Sequence, residues 1–503
     1  MAARERVVVI GLDAMDPGIA RRLAGEGRLP TIASLLDQAA WAPVRNPYGL
    51  VVGGVWPSFA TSSWPSRHGF FSHLQLVPGT YEIRSTSPYD VAGDPLWTTM
   101  SRHGKRCAVV DVPLTAPSTI NGLQVVDWGT HDRMLEPQTV PPELARDIDE
   151  AIGPHSITGR CDHYTGPDAP AQLRDDLLTG IERKLELSRR LLDREEWDLF
   201  VTVFSESHCA DHHFWRLQDP GYPGHDPALQ QALGRPLEVV YEALDAALGS
   251  LLEDAGDACV YVLLSHGVVV RSDADHLLVT ILQRLQDADG PPSPLVRYRE
   301  AGLRRLRHAR RRLTRDRRFP RDDFAAYVDS TRNCFKVPNN ELFGGIRFNV
   351  AGREPRGRLR PGPAVDAWFE GLRAGLLELE NVETGGPVVR DVVRTDDVYE
   401  RRDPDHLPDA LVDWQRSDPI RGVRSPKVGT VNGEYRGLRT GDHRPTGLLF
   451  VRAADVAPGP RDEAVAIVDI GPSIAARLGV ELGDVDGRPD PRLGRSTDPS
   501  VAR

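Results

Sequence analysis

The chain has 503 residues, a net charge of −10 and 27% charged residues, and this acidic balance argues against a general nucleic-acid or membrane-surface binder. Its length suits either two domains or one large α/β domain with insertions. The apolar run before Asp13 is too short for a signal segment or a membrane span. Because the five cysteines are an odd number without a CxxC pair, they favour a reducing compartment, and we expect a cytoplasmic protein.

Short apolar runs along the chain predict buried strands of a parallel sheet. They cover residues 7–12, 107–112, 123–126, 199–204, 259–264 and 447–451. Helical patterns of apolar residues occupy 23–36, 173–192 and 236–252, and these predict helices. The stretch 48–69, rich in Gly, Trp and Pro, is predicted as a loop.

Side chains that can bind a metal follow three of these runs. Asp13 follows the first, His208 and His212 follow run 199–204, and His266 follows run 259–264. If the segment after 204 is helical, His208 and His212 lie on one face, which suits zinc or a similar divalent ion. The alternative is that these histidines cap a strand or pack under Phe214 and Trp215. Because ligands collect at the carboxyl ends of parallel strands, three such strand ends favour the metal interpretation.

A fourth metal candidate, His443, precedes the last strand. Arg436, Arg439 and Arg444 flank it, and guanidinium groups suit an anionic substrate. The arginine-rich stretch 297–321 could serve nucleic acid or a membrane, but a solvated helical insertion agrees better with the acidic chain. Among the cysteines, Cys209 alone is expected near the chemistry.

Six short motifs then occur in a characteristic order: 9–13, 56–61 with 65–69, 208–215, 265–267, 352–355 and 441–444. In this order they resemble the alkaline phosphatase superfamily, in particular its type I phosphodiesterase and nucleotide pyrophosphatase branch. The resemblance implies a three-layer α/β/α sandwich with a large, mainly parallel sheet, capping insertions and two metal ions that hold a phosphate ester. We expect one domain over 1–486, cap insertions at about 133–195 and 290–340, and a loose tail over 487–503.

The resemblance also implies ligands for the two metals. An Asp and a His four residues apart, plus a late His, bind one metal in the family, and His208, His212 and His443 occupy these positions. A first-strand Asp, a nucleophilic Thr or Ser, and an Asp-His pair bind the other. Here the corresponding residues are Asp13, Val52 in a gapless alignment, Ser265 and His266.

These departures from the family pattern bear on the mechanism. Val52 cannot attack phosphorus, and Ser265 is a weak ligand in place of a carboxylate. A zinc ion on three histidines keeps an open position and lowers the pKa of its water to ~7, so a metal-bound hydroxide can replace the missing nucleophile. Two further alternatives involve nearby side chains: a shifted alignment would offer Ser58, Thr61 or Ser62 as nucleophile, and Glu206 or Asp211 would supply the missing carboxylate.

We therefore predict a metal-dependent hydrolase of phosphate esters that acts on a small, nucleotide-like molecule, with one firm zinc site and a weaker second site. The predicted catalytic residues are Asp13, His266 and Glu206. The predicted substrate-binding residues are Arg436, Arg444 and Trp56. Two alternatives remain open: a phospho-ligand binder without turnover, and a phosphoryl transferase or mutase.

Overall fold

The computed structural model describes residues 5–157, 161–166, 168–222, 224–288, 328, 330–339, 342–401, 405–416, 418–435 and 437–493. Its helices are α1 Pro17–Gly25, α2 Pro30–Gln38, α3 Val51–Thr61, α4 Pro65–His68, α5 Leu96–Arg102, α6 Leu144–Ala151, α7 Ala169–Asp193, α8 Glu206–Gln218, α9 Pro227–Ala232, α10 Pro236–Ala255, α11 Asp275–Ala288, α12 Pro363–Leu377 and α13 Ile467–Arg477.

The strands are β1 Val7–Leu12, β2 Ala40–Arg45, β3 Leu74–Leu76, β4 Ile83–Ser85, β5 Cys107–Val110, β6 Gly122–Val126, β7 Gln138–Val140, β8 Leu199–Phe204, β9 Cys259–Leu264, β10 Gly267–Val270, β11 Cys334–Val337, β12 Phe343–Phe348, β13 Glu380–Asn381, β14 Val389–Arg394, β15 Ala410–Trp414, β16 Gly422–Ser425, β17 Gly429–Asn432, β18 Gly441–Arg444, β19 Thr446–Arg452, β20 Gly459–Pro460 and β21 Val465–Ala466.

One large sheet organises the molecule. Its order is β20-β2-β19-β9-β1-β8-β5-β6-β7, with β21 paired to β2. β9, β1, β8, β5 and β6 run parallel, and β19 and β7 are antiparallel to their neighbours. The predicted large, mainly parallel sheet is confirmed.

Helices cover both faces of this sheet. Along β1, Val8 and Ile10 contribute to one hydrophobic core with α1, α7, α8 and α10, whereas Val7 and Val9 contribute to the opposite core with α3, α5 and α13. Successive strand residues point to opposite faces, so a strand that is apolar throughout must be covered on both sides. The three-layer α/β/α sandwich is therefore confirmed.

The prediction of a loop over 48–69 is wrong, because residues 51–61 form α3. The glycines that suggested a loop are needed for close packing instead. A Cβ at Gly53 would lie 2.3 Å from the backbone oxygen of Phe71. Tertiary contacts thus outweigh the weak helix propensity of Gly and Pro, and the helix brings Trp56 to the end of β1.

The expected cap over 133–195 does not agree with the packing of its long helix, α7. Leu173, Leu177, Ile181 and Leu187 lie in the same core as Val8 of the central strand. In addition, β7 pairs with β6 at the edge of the main sheet. Both elements complete the sandwich because their apolar faces need the sheet as a partner.

The second expected insertion, 290–340, lies mostly outside the described residues. Its described end contributes β11 to a four-stranded sheet of order β11-β12-β15-β14. α11 and α12 pack on this sheet in a separate hydrophobic core. The 352–355 motif belongs to this region, where Glu354 binds Arg347 and Arg353 binds Asp409.

The first part of the expected loose tail is packed. Leu493 is buried in the core that contains α13, and its carbonyl accepts a hydrogen bond from the Tyr261 hydroxyl. The Asp490 amide donates to the Ser473 hydroxyl. Residues 494–503 lie outside the described part of the chain.

Candidate metal and active site

Three neighbouring strands end at the same level, and residues of the site directly follow them. In the register of the sheet, Leu12 of β1 lies opposite Phe204 of β8 and Leu264 of β9. Asp13, the start of α8 and His266 therefore emerge side by side at the carboxyl edge. This parallel register is the reason why residues 13, 208 and 266 meet.

His443 reaches the same edge from a separate two-stranded sheet. β18 runs antiparallel to β10, with His443 opposite Val268. This pairing places His443 Nε2 2.8 Å from His208 Nε2. The ring centroids of His443 also lie 4.8 Å from those of both His212 and His266.

Each of the four histidines has its Nδ1 atom engaged outside the cluster. The Nδ1 partners are Asp13 Oδ2 at 2.6 Å for His208, the Gly441 carbonyl at 2.9 Å for His212, and Asp442 Oδ1 at 3.1 Å for His443. Carboxylates and carbonyls only accept, so each Nδ1 carries the proton and each Nε2 keeps a lone pair.

For His266 the same tautomer follows from Ser265. The Ser265 hydroxyl accepts from the Ala14 amide and donates its single proton to Asp13 Oδ1. His266 Nδ1, 2.9 Å from that hydroxyl oxygen, must therefore be the donor. His266 Nε2 is buried without a hydrogen-bond partner. An outer partner on the other ring nitrogen is the usual arrangement for a metal-binding histidine.

Burial favours the neutral form of three of these imidazoles. It lowers the pKa of His208 to about 4, aided by the nearby His131. Burial also lowers the pKa of His212 and of His266 well below the usual value, with Arg439 and His443 respectively adding to the effect. A neutral imidazole is the form that binds a metal.

Asp13 is the carboxylate that contacts His208 in this cluster. It is buried, and burial alone would raise the pKa of its carboxyl. Interactions with His208, including its hydrogen bond, outweigh that effect and hold the pKa of Asp13 below its usual range. Trp56 Nε1 donates to Asp13 Oδ1 at 2.7 Å. Trp56 was predicted to bind substrate, but it is 3% exposed and orients this carboxylate.

The donor set fits a divalent metal. The facing atoms of His208, His266 and His443 lie within 4.8 Å of one another. The Nε2 atoms of His208 and His443 both hold lone pairs, and two lone pairs at 2.8 Å repel unless a cation lies between them. Imidazole nitrogens are preferred zinc ligands. The predicted trio contained His212 in place of His266; the structure groups His212 with His131 and His208 instead.

A protein-family model matches most of the chain. The family model for type I phosphodiesterase / nucleotide pyrophosphatase matches residues 7–341. The chain belongs to this family. Its members are phosphoric ester hydrolases, as predicted for this chain, and the predicted resemblance is confirmed.

Solved structures share the fold at low sequence identity. Murine ectonucleotide pyrophosphatase / phosphodiesterase 5 has a TM-score of 0.52 at 10% identity, over 96% of this chain and 97% of that chain. Phosphonoacetate hydrolase from Sinorhizobium meliloti 1021, in complex with phosphonoformate, has a TM-score of 0.51 at 14% identity, over 93% and 94% of the two chains. A search of curated proteins found no match.

Two carboxylates that were considered for this type I phosphodiesterase site are directed elsewhere. Glu206 Oε1 binds His155 Nε2 at 3.0 Å in a buried pair, so the predicted catalytic role of Glu206 does not agree with its position. Both carboxylate oxygens of Asp211 accept from the Tyr241 hydroxyl. Residue 206 lies on the side of α8 opposite to that of His208, because a helix has 3.6 residues per turn.

The two described arginines near His443 bind carboxylates. Arg444 pairs with Asp16 at 2.8 Å, and Arg436 lies outside the described residues. Arg439 instead donates to His212 Nε2 at 3.3 Å and is held by Asp132 and Asp162. The sequence could have indicated Arg439 as a site residue, because it also flanks His443.

The hydroxyls considered as substitute nucleophiles are occupied or enclosed. His68 Nδ1 accepts the Phe70 amide, so His68 Nε2 donates to Ser58 Oγ at 3.0 Å and cannot act as its base. Burial lowers the pKa of His68 to about 3. Thr61 Oγ1 donates to the Pro57 carbonyl, and the Ser62 side chain is buried.

Val52 lies in the first turn of α3, half-buried against the hydrophobic core of that face. Sequence reasoning also missed His131, which stacks on His208 with a centroid distance of 3.8 Å. His131 follows β6, and a polar loop after a parallel strand was the available signal.

Among the described residues, no helix has both the length and the apolar character needed to cross a bilayer.

Proposed function

We propose that this chain is a metal-dependent hydrolase of small phosphate esters, with a divalent metal, preferably zinc, bound by His208, His266 and His443. Asp13 and His212 flank this set. The observation that supports the proposal most strongly is the common tautomer: four buried imidazoles each engage Nδ1 outside the cluster and direct Nε2 towards it. We place the protein in the cytoplasm, because its five cysteines are free, as a reducing compartment keeps them.

A divalent metal at this position would act as a Lewis acid on a phosphoryl oxygen and lower the pKa of a bound water to ~7. The protein side chains supply orientation. Asp13 and Ser265 fix the rings of His208 and His266, and Asp442 fixes His443. Such outer partners typically account for about 10- to 100-fold in metal affinity or activity.

Arg439 is the cation best placed to bind the phosphoryl group. It is adjacent to His212, and Asp132 and Asp162 hold its guanidinium in one orientation. A fixed, planar guanidinium matches the oxygens of a phosphate or phosphonate. This arrangement favours a compact phosphorus-containing anion as substrate.

The solved relatives bind ligands of this class. An inactive variant of the murine phosphodiesterase is in complex with AMP, and the phosphonate enzyme is in complex with phosphonoformate. We infer that the substrate here is a small phosphate ester of the nucleotide type. Because residue 52 is Val, we infer attack by water rather than by a protein hydroxyl.

A second candidate function is binding of a phosphorylated ligand without turnover. The observation that favours it is the loss of two family groups, the nucleophile at Val52 and a carboxylate at Ser265. Phosphoryl transfer depends mainly on positioning and charge neutralisation, and the histidines and Arg439 retain both. We therefore favour the hydrolase.

The test is metal content of the purified chain followed by turnover of p-nitrophenyl phosphate and bis-p-nitrophenyl phosphate. We expect bound metal, and turnover that a chelator abolishes and zinc restores. His266→Ala should lose activity, and His103→Ala, a change at an exposed histidine, should not. Metal and ligand binding without turnover of either ester would favour the binder. Turnover that persists after complete metal removal would refute the proposal.

A further inference from the structure

Helix α8 carries a second pair of metal-capable side chains beside His208 and His212. Cys209 and His213 are also four residues apart on this helix, so they share the adjacent face. This face is directed towards Cys161 and His131. Sequence reasoning placed only Cys209 near the chemistry, because Cys161 is distant along the chain.

The groups on this face are close together. His131 Nδ1 lies 3.0 Å from Cys209 Sγ and 3.7 Å from Cys161 Sγ. The ligand atoms of these three residues all lie within 4.8 Å of one another, and Cys161 is within the same limit of His213. All five cysteines of the chain are free and buried, but only Cys161 and Cys209 meet histidines in this way among the described residues.

The Nε2 atoms of the two histidines lie near carboxylates. His131 Nε2 is 3.3 Å from Asp132 Oδ2 and His213 Nε2 is 3.6 Å from Asp162 Oδ1, but neither atom makes a well-formed hydrogen bond. The side chain of His213 is 10% exposed, so water does not readily satisfy it. A metal ion at His213 would give this buried ring nitrogen a ligand bond in place of the missing hydrogen bond.

We propose that His131, Cys161, Cys209 and His213 bind a structural zinc ion, separate from the hydrolytic centre. Two thiolates and two neutral imidazoles form a tetrahedral Cys2His2 set, which is a closed zinc site without a position for substrate. Binding requires both cysteines as thiolates and both histidines as neutral imidazoles, so any protons on these groups are released to solvent, and the two thiolates balance the charge of the ion. The nearby Asp162 is already engaged by Arg439, so His213 is the better fourth ligand.

Such an ion would fix the substrate side of the active site. It would connect the segment 161–163 and the loop at 131 to α8. Asp162 and Asp132 belong to these two segments, and both hold Arg439 next to His212. Loss of the ion should therefore affect the position of Arg439.

X-ray absorption at the zinc edge of the purified full-length chain tests this site without any substitution. We expect sulfur neighbours at about 2.3 Å in addition to nitrogen neighbours at about 2.0 Å. In the cobalt-substituted protein, we expect a thiolate-to-cobalt charge-transfer band in the near ultraviolet. Only nitrogen and oxygen neighbours at full metal loading, or a Cys161–Cys209 disulfide in the protein purified under reducing conditions, would overturn the proposal.

Variants separate this site from the hydrolytic one. Cys161→Ser and Cys209→Ser should each lose the thiolate band and about one equivalent of zinc, whereas Cys107→Ser, a change at a buried cysteine of β5, should retain both. His266→Ala should keep the thiolate band even though activity is lost. If the cysteine variants do not fold, the absorption spectrum of the unsubstituted protein still decides. A chain without hydrolase activity but with zinc–sulfur scattering would support this site and contradict only the proposed function.

Discussion

The Nε2 atoms of His208 and His443 face each other at 2.8 Å, although the two residues are 235 positions apart in the chain. Because both Nδ1 atoms donate to carboxylates, both Nε2 atoms carry lone pairs, and a cation between them removes their repulsion. Metal removal should therefore destabilise the folded protein. At a metal concentration of about 1,000 times Kd, binding contributes about 4 kcal/mol.

Chemical unfolding with and without a chelator checks this stabilisation. We expect a loss of several kcal/mol in the free energy of unfolding for the unsubstituted chain. His443→Ala should show a much smaller chelator effect, because it removes one of the two facing lone pairs. An equal chelator effect in His443→Ala and His103→Ala would contradict the assignment of His443 as a ligand.

The buried histidines predict how the metal-free protein responds to acid. The pKa of His208 is lowered from its usual 6.5 to about 4, so between these values the unfolded state binds a proton that the folded state does not. Stability is then fully present above pH 6.5 and falls as the pH drops towards 4, by up to about 1.4 kcal/mol per pH unit for each such group. Urea unfolding in chelator from pH 7.5 to 4.5 measures this slope, and His208→Gln should reduce it. An unchanged slope in that variant would show that His208 is not the titrating group.

Ser265→Asp should restore a family carboxylate beside Asp13. The Ser265 hydroxyl lies 3.0 Å from Asp13 Oδ1, so the change brings two carboxylates together in a buried site. We expect lower stability without metal, because like charges repel, and tighter metal binding, because the second carboxylate adds an ionic ligand. Calorimetric titration with zinc and unfolding in chelator measure the two effects. Ser265→Ala is the control for loss of the hydroxyl, and weaker metal binding by Ser265→Asp would contradict the alignment of this position.

Arg439 and Arg444 form a matched pair for substrate recognition. Arg439 lies next to His212, whereas Arg444 pairs with Asp16. We expect Arg439→Ala to raise KM for a phosphate ester about tenfold or more, the loss of one charge-assisted hydrogen bond of about 1.5–3 kcal/mol. Arg444→Ala should leave KM nearly unchanged. Steady-state kinetics gives the KM of the two variants. A larger rise of KM in Arg444→Ala than in Arg439→Ala would favour Arg444 as the residue that binds substrate.

Val52→Thr tests whether a lost nucleophile can be restored. Val and Thr have nearly the same shape, so the change places a hydroxyl in the first turn of α3 with little effect on packing. We expect a trapped phosphoenzyme on residue 52 by mass spectrometry, and none in the unsubstituted chain. Val55→Thr, one turn along the same helix, is the control. A phosphoenzyme mapped to Ser58, Thr61 or Ser62 of the unsubstituted chain would instead show that the alignment is shifted.

The sequence by itself determined the framework and most of the candidate ligands. The strands at 199–204 and 259–264 occur at the predicted residues, because a strand buried on both faces must be apolar throughout. The carboxyl ends of such strands define one edge of the sheet, so Asp13, His208 and His266 could be assigned to one site before the tertiary structure was known.

Only the tertiary structure decided the direction in which each side chain points. Spacing alone joined His208 to His212, but the β10–β18 pairing joined His208 to His443 and His266. Glu206 was close in sequence, yet it binds His155 on another face of α8. Short patterns of apolar residues determine where strands and helices form, because the repeat of a strand or a helix spans only a few residues. The choice among neighbouring polar groups depends on contacts between distant segments, and these contacts have no local sequence pattern.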